Sequence, residues 1–259
     1  TDAGDVRLTA QITFAGAGGN VEGPVQYWGI PTDAEDFSVS AQVDLVNLPT
    51  GQYSYTVKAN FGGKDRVSVG TLMHINGKDS VFGRGWGVNG VQEIHLALDK
   101  SLMLVDGDGN AQLFQRIEIP GDAAAANAGE TVVQYRSLAS DASEFMQVDD
   151  EHFERRMRDG TVYLFSAPVE EDGVLPKAGR LLSVTDRYGN QTEYDYNADD
   201  RLASITDPVG LVTRFSYSGE HVTSITDPAG RSTGLFYDDD DLIAIRDADT
   251  SVRRFEYDE

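Results

Sequence analysis

From Arg180 to Glu259 the chain repeats itself four times at a spacing of about twenty residues, and nothing else in the sequence restricts the fold so strongly. Asp186, Asp207, Asp227 and Asp247 head a turn in each unit, 21, 20 and 20 residues apart, and Tyr196, Tyr217, Tyr237 and Tyr257 close the units at the same spacing. Such a short period means stacked supersecondary units, none of which buries its apolar face alone. The second half of each unit alternates, as Thr192-Tyr194-Tyr196, Thr213-Phe215-Tyr217, Thr233-Leu235-Tyr237 and Arg253-Phe255-Tyr257. A period of two places those three side chains on one face of a strand, where stacking aligns the aromatics into ladders. In the first half, Leu181, Leu202, Val222 and Leu242 form one column, and Val184, Ile205, Ile225 and Ile245 form another three residues on. An odd offset puts the two columns on opposite faces of a flat strand, so a bulge, a strong twist or burial on both sides is expected. The turns read Asp207-Pro208-Val209-Gly210 and Asp227-Pro228-Ala229-Gly230, with Pro suited to the second turn position and Gly to a positive φ. The first unit keeps Gly189, whereas the last has Ala248 and Thr250, and its turn is expected to be less regular.

The 259 residues suffice for two domains or one elongated repeat body. With 40% hydrophobic and 25% charged residues the chain is of globular composition. A net charge of −22 repels nucleic-acid phosphates and anionic membrane surfaces, and no run of Lys or Arg offers a local phosphate footprint. Cysteine is absent, which removes disulfides, thiolate metal sites and a Cys nucleophile. No stretch has the length of an apolar spanning helix, and Thr1 opens no signal-peptide pattern. The chain starts without Met and stops inside a repeat-like unit, which reads as a piece of something longer whose signals and anchors lie outside it.

Helix signals are nearly missing. The Ala-rich stretch Asp122–Ala128 is short and flanked by Gly121 and Gly129, so a loop is expected there. Val6-Leu8-Ala10-Ile12-Phe14, Val39-Ala41-Val43-Leu45 and Tyr53-Tyr55-Val57-Ala59 alternate as half-buried strands do, with Leu48-Pro49-Thr50-Gly51 turning between the last two. Residues 1–70 are therefore expected to form a small antiparallel sandwich or sheet in the style of fibronectin-like modules. Beyond them lies the Gly-punctuated aromatic segment Ser80–Val88. Two hairpins follow, turning at Asp106–Asn110 and at Arg158-Asp159-Gly160, and a loop over 166–179 leads into the repeats.

The columns of residues 180–259 resemble the tyrosine–aspartate (YD) repeats of the Rhs family, shared with teneurins and the C-components of bacterial toxin complexes. Phe82-Gly83-Arg84-Gly85-Trp86, Val105–Asn110 and the hairpin Arg158–Phe165 are similar to the segment preceding the repeats in such proteins, which extends the resemblance over about 71–259. The resemblance implies an all-β architecture in three parts: the β module 1–70, Rhs-type pre-repeat hairpins 71–179 and four YD-type repeats 180–259. It further implies a spiral of antiparallel hairpins that closes into a hollow shell, enclosing a C-terminal effector in toxin members and mediating contact at the cell surface in others. Four units are too few for a closed shell. Asp207–Leu211 mimics the opening of the family's self-cleavage segment, but Val212-Thr213 stands where Gly-Gly should follow, so no autoproteolysis is assigned.

Few residues suggest chemistry. Asp106, Asp108 and Asn110 have the spacing that begins a calcium loop, but Ala111 and Ile117 replace the Gly and Glu of an EF-hand. An Asp- and Gly-rich hairpin turn explains them without metal, and Ca²⁺ is the one cofactor left open. Asp238–Asp241 likewise reads as a solvated loop, with cation binding as its alternative. His74, His95, His152 and His221 form no metal-spaced pair, and no nucleophile elbow, phosphate loop or dinucleotide motif is present. The glycine alternation Gly83, Gly85, Gly87 reads as close packing against Trp86. Tyr27 and Trp28, read as loop aromatics, are the candidate sugar-binding pair.

The expected function is thus a non-enzymatic scaffold or encapsulating fragment of a large secreted or cell-surface bacterial protein. Its partners are the remainder of its own parent chain, including further repeats or an effector, with cell-surface glycans as a second class. Nucleic acid and membrane insertion are not expected. A carbohydrate-binding adhesion module is the competing class, and an acid–base glycan hydrolase is a third for which no convergent polar site can be named.

Overall fold

A computed structural model describes residues 6–16, 19–30, 40–97, 100–120, 131–137, 143–169 and 177–257. These residues contain strands and turns and no helix. The chain divides into two compact units, Thr1–Asn76 and Gly77–Glu259. Asp122–Ala128 and Val39 lie outside the described residues.

The first unit is a single antiparallel sheet. Strand β1 (Val6–Gly16) pairs on one edge with β2 (Gly19–Glu22) and β3 (Gln26–Ile30), and on the other with β4 (Gly51–Phe61). Strand β5 (Lys64–His74) completes the order. Period-two alternation gathers Ile12, Phe14, Tyr53, Tyr55 and Leu72 onto one face, where they pack with Leu48, Val43 and Leu45. The alternating run ending at Leu45 forms no strand over residues 40–45. Both edges of β1 are already taken, so Val43 and Leu45 lie on the apolar face instead of beside it. The side-chain amide of Gln26 substitutes for a neighbouring strand there, bonding both the N–H and the C=O of Gln42.

The second unit is one continuous fifteen-stranded sheet that curls back on itself. Strands β6 (Gln92–Leu96), β7 (Leu102–Asp106), β8 (Ala111–Pro120), β9 (Thr131–Ser137), β10 (Glu144–Gln147), β11 (His152–Arg156), β12 (Val162–Ser166) and β13 (Gly179–Thr185) pair in sequence order. One edge of β13 pairs with β12. Its opposite edge is shared: Gly179 and Arg180 pair with Ile94 and Glu93 of β6, while Ser183–Thr185 pair with β14 (Gln191–Tyr196). Strands β6–β13 therefore close into an eight-membered ring, and the sheet leaves that ring at β13 as the first turn of a spiral. Ile94, Leu102, Leu104, Phe114, Phe145, Phe165 and Leu181, all buried, fill the ring.

The repeats continue the sheet as β15 (Leu202–Thr206), β16 (Val212–Ser218), β17 (His221–Thr226), β18 (Ser232–Asp238), β19 (Asp241–Arg246) and β20 (Val252–Arg254). The three-residue offset between the apolar columns is resolved by a bulge. Asp195 pairs with Ser204 and Tyr196 with Leu202, so Ala203 has no partner, and the register shifts at the same place in the next two units. The extra residue turns both columns to one face, where Leu202, Val222 and Leu242 meet Ile205, Ile225 and Ile245. The spacing of 21 in the first unit also has a cause. A longer connection with Asp200 at φ 60° joins β14 to β15, whereas Ser218 pairs directly with His221 and Asp238 with Asp241 in the two-residue connections that follow.

The last repeat turn keeps the backbone hydrogen bonds of the others but not their aspartate cap, since Ser251 N–H donates to Asp249 Oδ1 and not to Asp247. Thr250 N–H donates to Asp247 O and Asp247 N–H to Ser251 O, each at 2.9 Å, matching Gly210 and Gly230 and their turns. Pairing of β19 with β20 imposes the geometry, and Thr250 adopts φ 74° where the other units place glycine. A non-glycine residue there is strained by about 1 kcal/mol.

Candidate functional site

Chemistry-bearing residues converge at three places in the second unit: the turns, the inner face of the repeats and the seam of the ring. At the first three turns the leading aspartate accepts backbone hydrogen bonds, whereas at the last Asp249 takes the Ser251 amide and Asp247 faces Arg253. Asp207 Oδ1 takes the amides of Val209 and Leu211 at 2.9 and 2.8 Å, and Asp227 Oδ1 those of Ala229 and Arg231, both at 2.9 Å. The Asp186 carboxyl is held below the usual carboxylate range by the Asn190 side chain, and that of Asp227 by the Arg231 amide. These carboxylates are turn elements.

The repeat tyrosines are equally committed. Tyr196, Tyr217, Tyr237 and Tyr257 each donate to the carbonyl fifteen residues earlier, on Leu181, Leu202, Val222 and Leu242, at 2.8–3.0 Å. The acceptors are the first apolar column, so every phenol ties the end of its unit to the start of the same unit. Burial pushes the phenols of Tyr196 and Tyr217 up, and that of Tyr237, with Tyr217 adding to the effect, up to about 12. They remain protonated donors across the physiological range.

A strap formed by residues 77–91 covers the inner face. Val222 N–H donates to Val81 O and Arg84 N–H to Asp240 O, both at 2.8 Å. Phe82 meets Phe215 edge-on at 6.2 Å, and Trp86 packs on Phe255 at 4.7 Å while its indole N–H donates to Tyr257 Oη. The glycine alternation serves contacts other than the indole. A Cβ on Gly83, at φ 96°, would lie 3.0 Å from Leu242 Cβ, and one on Gly87 would lie 2.3 Å from Gly107 O. The acidic run Asp238–Asp241 faces Arg84, 3.8 Å from Asp240 and 3.9 Å from Asp241, and His221 stands 3.5 Å from Asp240.

At the seam, the two residue pairs joining β6 to β13 are reinforced by charge. Arg180 reaches Glu93 at 2.7 Å and Asp200 at 3.3 Å, Lys177 reaches Asp200 at 2.9 Å, and His95 lies 2.8 Å from Glu93. Burial raises the Glu93 carboxyl, but His95 and Arg180 outweigh it and hold the group below its usual value. Gly179 makes the approach sterically feasible, since a Cβ there would lie 2.1 Å from Ser166 O and 2.7 Å from Ile94 Cγ1.

The residues singled out from sequence lie apart from these places or serve the strap. Asp106 accepts from Gly90 N–H at 3.0 Å and Gln92 Nε2 at 2.8 Å, anchoring the strap's end, while both Asp108 oxygens accept from Asn110. No three His, Cys, Asp or Glu side chains among the described residues are grouped to hold a metal ion. Tyr27 and Trp28 sit in strand β3 and not in a loop, so they point to opposite faces of the first unit's sheet, Tyr27 being 57% exposed. The open recess of the first unit, about 560 Å³, lies against Ile12, Phe14 and residues 41–44. The strap and the seam escaped sequence reasoning; the only local signal was the Gly-Trp alternation, which showed close packing without its partner.

Residues 177–212 and 196–232 match the RHS Repeat family model in two overlapping windows offset by about one unit, which together span less than a quarter of the chain. No curated protein matches the chain. The matched windows contain the Asp turns, the bulged apolar columns and the first two tyrosine–carbonyl bonds. Residues 177–232 of this chain are thus RHS repeats, the YD-type repeats that the sequence columns resemble.

Proposed function

We propose that the chain is a non-enzymatic structural segment, the start of a spiral wall in a large secreted or cell-surface protein that encloses cargo or mediates contact. One observation carries this reading: the side chains that repeat are consumed by the wall itself. The tyrosine hydroxyls bond to their own units, the aspartates of the first three turns to those turns, and the apolar columns to the strap. A catalytic or ligand-binding array would instead present these groups to an open cleft. Among the described residues β20 has no partner on its outer edge, on which a further hairpin would add. Electron microscopy of the protein produced from its natural gene tests the reading. A sheet that continues past β20 around an enclosed space is the expected result. A protein in which β20 remains a bare edge facing no enclosed volume would overturn it.

Carbohydrate-binding adhesion is the second reading, favoured by the exposure of Tyr27 on the first unit. Because Trp28 faces the other way, a single ring would have to carry the contact. Glycan binding lost in Tyr27→Ala and retained in Trp28→Ala is its expected signature.

A further inference from the structure

We propose that the outer face of the second to fourth repeats is a binding surface for an acidic polysaccharide. The alternation that turns tyrosines inward turns a different set outward. In register across the sheet, Ser216, Ser224, Gly234, Arg246 and Val252 form one row, and Phe236, Ala244 and Arg254 form the next. Arg214 stands one row to the other side, opposite Thr226. Equivalent outward positions in the first repeat hold Glu193 and Asp195, so the face becomes more basic along the spiral, with exposed Asp238 at its margin.

Arg214, Arg246 and Arg254 are all exposed, and none lies within ion-pair distance of a carboxylate among the described residues. Arg84, Arg180, Arg231 and Arg253 of the same unit all do. Arg158, Arg187 and Arg201 also have no ion pair among the described residues, but only Arg214, Arg246 and Arg254 share one face of the later repeats. Screening over about 8 Å at physiological salt lets the local face, and not the total charge, govern contact. Arg246 and Arg254 are diagonal neighbours on adjacent strands, about 8 Å apart at Cα. Arg214 lies three strands away, about 14 Å across the sheet. The charges are thus spread along a flat face, suiting a polymer with an anion on each residue better than a single small anion. No run of basic residues marks the surface in the sequence, because pairing assembles it from separate strands.

Phe236 narrows the class of partner. It is 41% exposed, and a Cβ on Gly234 would lie 3.4 Å from its ring edge, so the ring leans toward the glycine. The Arg246 guanidinium sits 5.2 Å from the ring centroid and fixes it there. An exposed aromatic ring among arginines and the hydroxyls of Ser216 and Ser224 fits a pyranose ring bearing a carboxylate. An acidic peptide would have no use for the ring, and a nucleic-acid duplex keeps its flat base faces stacked inside, where the ring cannot reach them.

The surface stands independently of the wall reading, since binding on the outer face is measured whether or not the spiral encloses anything. Binding of the intact chain to polygalacturonate is measured by calorimetry at several salt concentrations, with dextran, poly-L-glutamate and duplex DNA as comparisons. Salt-sensitive binding to polygalacturonate and none to dextran is expected. Arg246→Ser with Arg254→Ser should weaken it at least tenfold, and Phe236→Ala severalfold without changing the salt dependence. Should the double variant lose its fold by circular dichroism, Arg214→Gln alone should still weaken binding severalfold. Absence of polygalacturonate binding, equal binding by folded variants, or equal binding of polyglutamate or DNA would overturn the proposal.

Discussion

The ring of β6–β13 and the open sheet of β14–β20 use the same strand grammar but bury their apolar faces by different means. The ring curls until its own side chains meet, and Phe114, Phe145 and Phe165 are wholly buried. The repeats do not curl far enough to meet themselves. Phe215 and Leu235 retain slight exposure, and the strap supplies Val81, Phe82 and Trp86 as the missing opposite surface. A regular repeat therefore builds a wall cheaply but leaves its inner face to be covered by something irregular. The ring, in turn, depends on one seam of two residue pairs.

The comparison can be broken hardest at the seam. Gly179→Val should cost about 3 kcal/mol or more, because the added carbons meet backbone and Ile94. Urea denaturation should show this as a lowered midpoint, with a much smaller lowering in Gly85→Val, where a Cβ meets nothing within 4 Å and φ strain of about 1 kcal/mol is the main cost. Trp86→Ala should come next, losing about 2 kcal/mol through the exposed Phe255 and the unmade bond to Tyr257.

Acid sharpens the same contrast. Glu93 has a folded pKa below its ordinary value, so its stabilising contribution is complete above about pH 4.3 and lost as the pH falls through the folded value. Glu93→Gln should be less stable than the parent at pH 7, and the two should converge in acid; a constant difference down to pH 2 would contradict the clasp. The smallest effect is expected at the last turn. Thr250→Gly should stabilise by about 0.5–1 kcal/mol, because the turn keeps its hydrogen bonds and loses the strain of φ 74°.

The repeat was legible in the sequence because its causes are local. Asp-Pro-x-Gly specifies a turn within four residues, and the odd offset of Leu202 and Ile205 required a bulge, a twist or two-sided burial, of which the bulge is realised. The strap and the ring closure were not legible. Gly179 meets Ile94 and Trp86 meets Tyr257 across long stretches of chain, and no periodicity records such a pairing. The tyrosine column was visible as a ladder, but its carbonyl acceptors depended on the bulge. Residues 40–45 show the opposite failure, an alternating pattern that lies on a sheet without joining it, because alternation reports burial and not which edge is free.

The claim that the strap completes the repeats while the ring completes itself is tested most directly by amide hydrogen exchange of the parent and Trp86→Ala proteins. The account predicts that Trp86→Ala accelerates exchange in β17–β20, including Phe255 N–H, which donates to Ile243 O, and leaves β7, β8 and β10–β12 at the parental rate. Equal acceleration in the ring and the repeats, or none in either, would contradict it.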